Sequence, residues 1–258
     1  ADLANLLNEA ALLAAKAGDW EIAAKTIDEA RDKVTMGAAR VSKVVPEDER
    51  RLTAYHEAGH VIVGLDRPGN DLLRKVTIVP RGGSGGMAAW TPARERQTLK
   101  VKEFRGRMAM AFGGRAAEEH FFGKEEITTA AAMDIRMANQ MARSMVKQYG
   151  MSENIGPMDL SGGHMSMGPR MGADGDSSHS EALGEAIDDE VQKMLKDGET
   201  EALEVIQRRS DDVRAVAEAL LKHGTLDAQE VHRAIRGEPI RGTSSALPCG
   251  GAGAGAEN

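Results

Sequence analysis

The chain has 258 residues, enough for one or two domains, and apolar side chains (AVILMFWYC) make up 41% of it, which excludes wholesale disorder. Four Phe, two Trp and two Tyr among abundant Ala, Leu and Met favour packed helices over a β-sandwich. A net charge of −7, from 33 basic and 40 acidic residues, speaks against nucleic acid as a partner, and the single cysteine, Cys249, excludes an internal disulfide or a multi-cysteine metal knuckle.

In chain order, residues 1–17 and 20–36 read as two helices separated by Gly18-Asp19, with Leu3, Leu6, Leu7, Ala10 and Ala14 on one face of the first. They form a small helical hairpin, residues 1–37, followed by a charged linker over 38–50 whose Pro46 suits a helix start. Because the chain opens on Ala1 already in helical pattern, it reads as a piece of a longer protein. Residues 52–65 are the next helix, and 75–80 a β-branched strand. The Gly-Gly-Ser-Gly-Gly run over 82–86 is a flexible loop before a second strand, 87–90, so the two strands make a hairpin. Residues 99–123 are helical with a glycine break at Gly113-Gly114. Residues 131–149 form a long helix on which Met133, Met137, Met141 and Met145 recur every four residues, the pattern of a face filling core gaps.

Residues 156–176, rich in Gly, Met and Ser, read as an irregular loop. Helices over 180–197, 199–207, 211–223 and 227–236 complete the C-terminal half, the last opened by an Asp227/Glu230 capping box. Residues 238–258 are a low-complexity tail expected to be disordered. The longest apolar runs, 10–15 and 108–112, fall far short of the roughly 20 residues of a spanning helix. His164, His179, His223 and His232 read as surface residues, His120 as a packing residue, and the acids Asp188-Asp189-Glu190 as a solvated face.

His56-Glu57-Ala58-Gly59-His60 is an H-E-x-x-H motif within the 52–65 helix. At about 3.6 residues per turn the two histidines share one face, where both imidazoles reach one Zn²⁺. Glu57 lies about 100° around the helix, beside the metal and off its axis, where a general base acting on water belongs. A catalytic zinc needs a third protein ligand, and spacing alone does not choose it from forty acids and the other five of seven histidines.

Five blocks narrow the reading. Ala1-Asp-Leu-Ala-Asn-Leu-Leu, Thr53-Ala-Tyr-His-Glu-Ala-Gly-His, Lys75-Val-Thr-Ile-Val-Pro-Arg-Gly, Gly113-Gly-Arg-Ala-Ala-Glu-Glu and Tyr149-Gly-Met-Ser-Glu-Asn-Ile-Gly-Pro-Met together resemble, in order, the FtsH family of ATP-dependent zinc metalloproteases. The resemblance implies a mainly α zinc-peptidase domain with a small β-hairpin or sheet over 51–237, preceded by the helical end of an AAA ATPase lid. It implies Zn²⁺ on His56, His60 and Asp134, with Glu57 as general base. Glu118 or Glu119 would accept a proton from a ligating imidazole, a solvated helix face being the other reading of both. It further implies an endopeptidase acting on unfolded or membrane polypeptides, assembled as a homo-hexamer. The membrane anchor would lie upstream, with the peptidase in the cytoplasm, matrix or stroma and this piece itself soluble.

ATP and Mg²⁺ belong only to the longer protein on this reading, because no G-x-x-x-x-G-K-[ST] phosphate loop occurs here. The family's Thr-Gly-Ala before the ligand aspartate is replaced by Thr129-Ala130-Ala131-Ala132-Met133. That departure supports one alternative, an inactive scaffold subunit of a hetero-oligomeric ring. A zinc hydrolase of non-protein substrates is the other.

Overall fold

The helix that carries the H-E-x-x-H motif becomes the centre of the fold. Helix α3 (Glu47–Asp66) is buried on every side from Ala54 to Ile62 except at His60. A helix apolar only on one stripe would leave a solvent face; here α4 (Val101–Phe122), α6 (Glu181–Arg208), α7 (Ser210–His223) and a small sheet all pack around it. This is a computed structural model describing residues 1–40, 44–67, 71–93, 95, 98–158, 160 and 180–240. The loop expected over 156–176 therefore lies largely outside the described residues, as do His164, His179, Cys249 and the tail from 241 onward. Among the described residues, no helix is long and apolar enough to cross a membrane.

Two polar-faced helices, α1 (Asp2–Ala17) and α2 (Ala24–Met36), form the N-terminal hairpin as expected. Its buried seam is narrow, made by Ala10, Ala14 and Ala30, so Leu3 and Leu7 stay exposed despite their helical spacing. Gly18, in the left-handed conformation at φ 80°, closes α1 and donates back to the carbonyl of Ala15.

Among the described residues one antiparallel sheet forms, in the order β2-β1-β3, from β1 (Leu72–Thr77), β2 (Met87–Thr91) and β3 (Thr225–Asp227). The hairpin β1–β2 was expected; β3 was not, because three residues between a helix end and a capping box carry no alternation. Leu226 of β3 is nevertheless fully buried in the core with Leu73 and Val76 of β1. The expected capping box is present: Asp227 accepts from the Glu230 amide and Glu230 from the Asp227 amide before α8 (Ala228–Ile235).

Two expected helix breaks do not occur. Helix α4 runs unbroken through Gly113-Gly114 because those glycines serve close approach: a Cβ on Gly59 would stand 2.2 Å from the Gly113 carbonyl oxygen. The backbones of α3 and α4 touch there. Gly198 likewise sits inside α6, facing Met108 and Phe112 of α4. Helix α5 (Ala132–Lys147) departs from its expected methionine face, since Met145 is buried but Met133 and Met137 are 63% and 53% exposed. Within the acidic run, Glu190 is buried and accepts from the Asn154 side-chain amide.

Gly59→Ala should act through overpacking at the α3–α4 contact. The expected loss of about 1–3 kcal/mol would lower the melting midpoint by roughly 3–10 °C in a domain of this size. A calorimetric midpoint equal to that of the unaltered chain would show that the helices separate freely.

Candidate metal centre

His56, Glu57 and His60 lie where α3 meets α4, and burial there sets their geometry. The two imidazoles, one turn apart, face each other edge to plane with their Nε2 atoms 3.0 Å apart. Asp134, in the first turn of α5, brings Oδ2 to 3.7 Å from His56 Nε2 and 3.6 Å from His60 Nε2. A helix N-terminus favours an ionised carboxylate at that position.

The donor chemistry fits a metal ion. Ligand atoms about 2.0–2.1 Å from a tetrahedral centre stand about 3.3–3.4 Å from one another, and the three distances here bracket that edge. The outer ring nitrogens are engaged elsewhere: His56 Nδ1 bonds Glu118 Oε1 at 2.6 Å and His60 Nδ1 donates to the Met110 carbonyl at 2.8 Å. With both Nδ1 protons pointing outward, the Nε2 lone pairs and a carboxylate oxygen converge on one point. Such a triangle calls for a positive charge. These are the residues that the structure brings together as a metal-capable group.

The electrostatics agree with the geometry. Burial by itself would lower the His56 imidazole, yet Asp134, Glu118 and Glu57 outweigh it and hold the ring up to about 9. Burial opposes ionisation of Asp134, but His56 and His60 keep its carboxyl well below the usual carboxylate range. Glu118 resists the same burial through His56 and Thr128 and is also held low. Burial pushes the Glu57 carboxyl up, against the pull of His60 and His56. Glu57 thus sits beside the donor triangle with a raised affinity for a proton.

Of the two glutamates weighed from the sequence, Glu118 reaches His56, whereas Glu119 lies 3.5 Å from Lys124. His120 is exposed and bonds Ser210 Oγ at 3.1 Å. Three further positions shape the site in ways that the sequence reading did not assign them. Thr128 donates its amide to Glu118 Oε2 at 2.7 Å and caps the 3-10 turn Thr129–Ala131 that leads into α5. The altered Thr129–Met133 stretch thus still delivers Asp134 to the histidines. Gly114 lets the His56 ring lie on α4, for a Cβ there would stand 2.5 Å from its Nε2. Gly86 lies so close to Glu57 that an added Cβ would stand 2.8 Å from its Cγ.

Comparison with known families decides what this arrangement belongs to. The family model "Peptidase family M41" matches residues 43–234, from just before α3 into α8. The chain belongs to peptidase family M41. Its M41 region holds all four residues of the centre, and the N-terminal hairpin lies outside the match. Similar proteins named "ATP-dependent zinc metalloprotease FtsH" come from Lactiplantibacillus plantarum (42% identical over 231 residues, 90% of this chain and 31% of that protein) and Streptococcus pneumoniae (43% over 231 residues, 90% and 35%). The namesake from Bacillus subtilis is 39% identical over 238 residues, 91% of this chain and 37% of its own. This M41 chain therefore spans about a third of the length of the relatives it matches.

Glu118→Ala should weaken metal binding by about 10–100-fold, because the His56 imidazole loses the group that orients it. Glu119→Ala should leave affinity within about twofold, the contact with Lys124 being at the surface. Titration against a chromophoric chelator reads both; equal effects of the two substitutions would show that the His56–Glu118 bond does not orient the ligand.

Proposed function

We infer that this chain is the peptidase part of an ATP-dependent zinc metalloprotease that hydrolyses peptide bonds of unfolded polypeptides, with Zn²⁺ held by His56, His60 and Asp134. The observation that carries this reading is the triangle of two imidazoles and one carboxylate with Glu57 buried beside it, in a chain of family M41. Zinc in such a site supplies a Lewis acid for the scissile carbonyl and makes water nucleophilic near neutral pH.

The chain's own residues supply the rest. Glu57 takes a proton from the attacking water and returns it to the leaving amine nitrogen; a carboxyl whose proton affinity is raised by burial suits both steps. Gly86, pressed on Glu57, closes one side of the base against water. Strand β2 begins one residue later and has β1 on one side only, with no strand on the other among the described residues. An extended substrate adding to that edge would be held by main-chain hydrogen bonds, which suits unfolded polypeptide of varied sequence.

On the same reading residues 1–37 are the end of an ATPase lid, and ATP acts on parts of the protein beyond this chain. A homo-hexameric ring, a membrane anchor and action on membrane proteins belong to that longer protein, as the FtsH resemblance implies. Placement of the peptidase on the cytoplasmic, matrix or stromal side follows from the same resemblance.

Glu57→Gln should retain one zinc per chain and lower hydrolysis of a casein-derived peptide by about 10²–10⁴-fold, the range for loss of a general acid–base. Chelation should abolish the same turnover and added Zn²⁺ restore it. Full turnover by the Gln variant would remove Glu57 as the base. Absence of any turnover of that peptide by the zinc-loaded, unaltered chain would favour the scaffold reading.

A further inference from the structure

Asp32, on α2 and outside the M41 match, is 1% exposed, yet its carboxylate meets three cations. Arg74 Nη2 lies 2.7 Å from Oδ1, Lys75 Nζ pairs with Oδ2, and Arg81 Nη2 stands 3.7 Å from Oδ2. Arg74 also reaches Asp28, one turn earlier on α2, at 3.3 Å. An acid this deeply buried persists only when it is paired, so the hairpin and the sheet are joined here by charge.

The strand is shaped for this contact. In a regular strand Arg74 and Lys75 would point to opposite faces. Between Leu73, opposite Trp90, and Lys75, opposite Ala89, β1 advances two residues while β2 advances one. Arg74 is the extra residue of a β-bulge, a device that re-aims side chains. Leu73 and Val76 therefore remain buried, while both cations turn to the same acid.

A second set of contacts runs parallel to the first. The Arg40 amide donates to the Pro80 carbonyl at 2.8 Å, Ala39 bridges Arg81, and Gly37 packs on Gly82. Beyond Arg81 the chain closes a tight turn, Arg81 and Ser84 exchanging backbone bonds at 3.1 and 2.9 Å, and Ser84 Oγ donates to the Gly86 carbonyl. Gly86 then lies on Glu57. Contacts are thus continuous from α2 through Arg81 and the turn to the side chain of Glu57.

We propose that Asp32 is a positioning residue: it clamps the β1–β2 hairpin to the N-terminal helical hairpin and thereby sets where Gly86 and the β2 edge stand relative to Glu57. Displacement of the helical hairpin is then felt at the edge that receives substrate. The positional part stands on the contacts alone; its effect on turnover rests on the peptidase reading above.

The test uses the full chain loaded with zinc, the variant Asp32→Asn, and the double variant Asp32→Asn/Lys75→Met, which removes one of the three cations around that position, and so returns the cluster to its original net charge, without restoring the clamp. Amide hydrogen exchange over residues 81–91 should speed by about tenfold in Asp32→Asn while residues 58–63 keep their protection, the pattern of a local opening. KM for a short internally quenched peptide should rise by about tenfold with kcat within about twofold, as for lost ground-state positioning. The double variant should recover the melting midpoint but neither the exchange nor the KM. Unchanged exchange over 81–91, faster exchange in both segments alike, or recovery of KM together with the midpoint would each overturn the clamp. Exchange as expected, with no hydrolysis by the unaltered zinc-loaded chain, would overturn the peptidase reading and leave the clamp standing.

Discussion

One buried carboxylate holds the centre together. Glu118 is fully enclosed, and an unpaired charge at that depth would be strongly destabilising. It is tolerated because both oxygens are used: Oε1 on His56 Nδ1, Oε2 on the Thr128 amide, with the Thr128 hydroxyl at 3.2 and 3.1 Å from the two. Those bonds join α3, α4 and the turn after α4, His56 lying 62 residues from Glu118 in the chain. They fix the tautomer of one imidazole, and they anchor the loop from which α5 presents Asp134. Local structure, charge and placement of the metal-capable triangle all pass through this one group.

The opposite wall of the site is built from different physics. Around Glu118 there are directional bonds in a closed interior. Around Glu57 there is a glycine backbone, a tight turn and the side of β2 that no strand pairs among the described residues. The first wall suits a fixed donor set and the second suits an extended ligand of varied sequence. The bulge at Arg74 gives that second wall its own support, independent of Glu118.

Much of this was legible from residues alone. Helical spacing located the principal helices, the H-E-x-x-H run placed two imidazoles on one face, and the Asp227/Glu230 cap was read correctly because capping is local chemistry. The failures share a cause. Gly113, Gly114 and Gly198 signal a break when only the local chain is weighed, whereas here all three lie inside packed helices and the first two are required by a neighbouring element. β3 is defined by its partner β1 and not by any pattern of its own. Glu118 and Glu119 were indistinguishable as neighbours on one helix until the fold showed which one turns toward His56. Gly86 matters through its contact with Glu57, a group 29 residues away in the chain, and Thr128 through its bonds to Glu118 in the preceding helix. Long-range contact is what one-dimensional pattern does not carry.

The meeting of Gly59 and Gly113 has an evolutionary side. The distance between α3 and α4, and with it the platform under both imidazoles, is set where two main chains touch without any side chain between them. Apolar residues elsewhere in the core can exchange for others of similar volume with modest repacking, and none of those exchanges alters a spacing defined by bare backbone. Repacking of the surrounding core is thereby decoupled from the spacing that the metal-capable centre rests on.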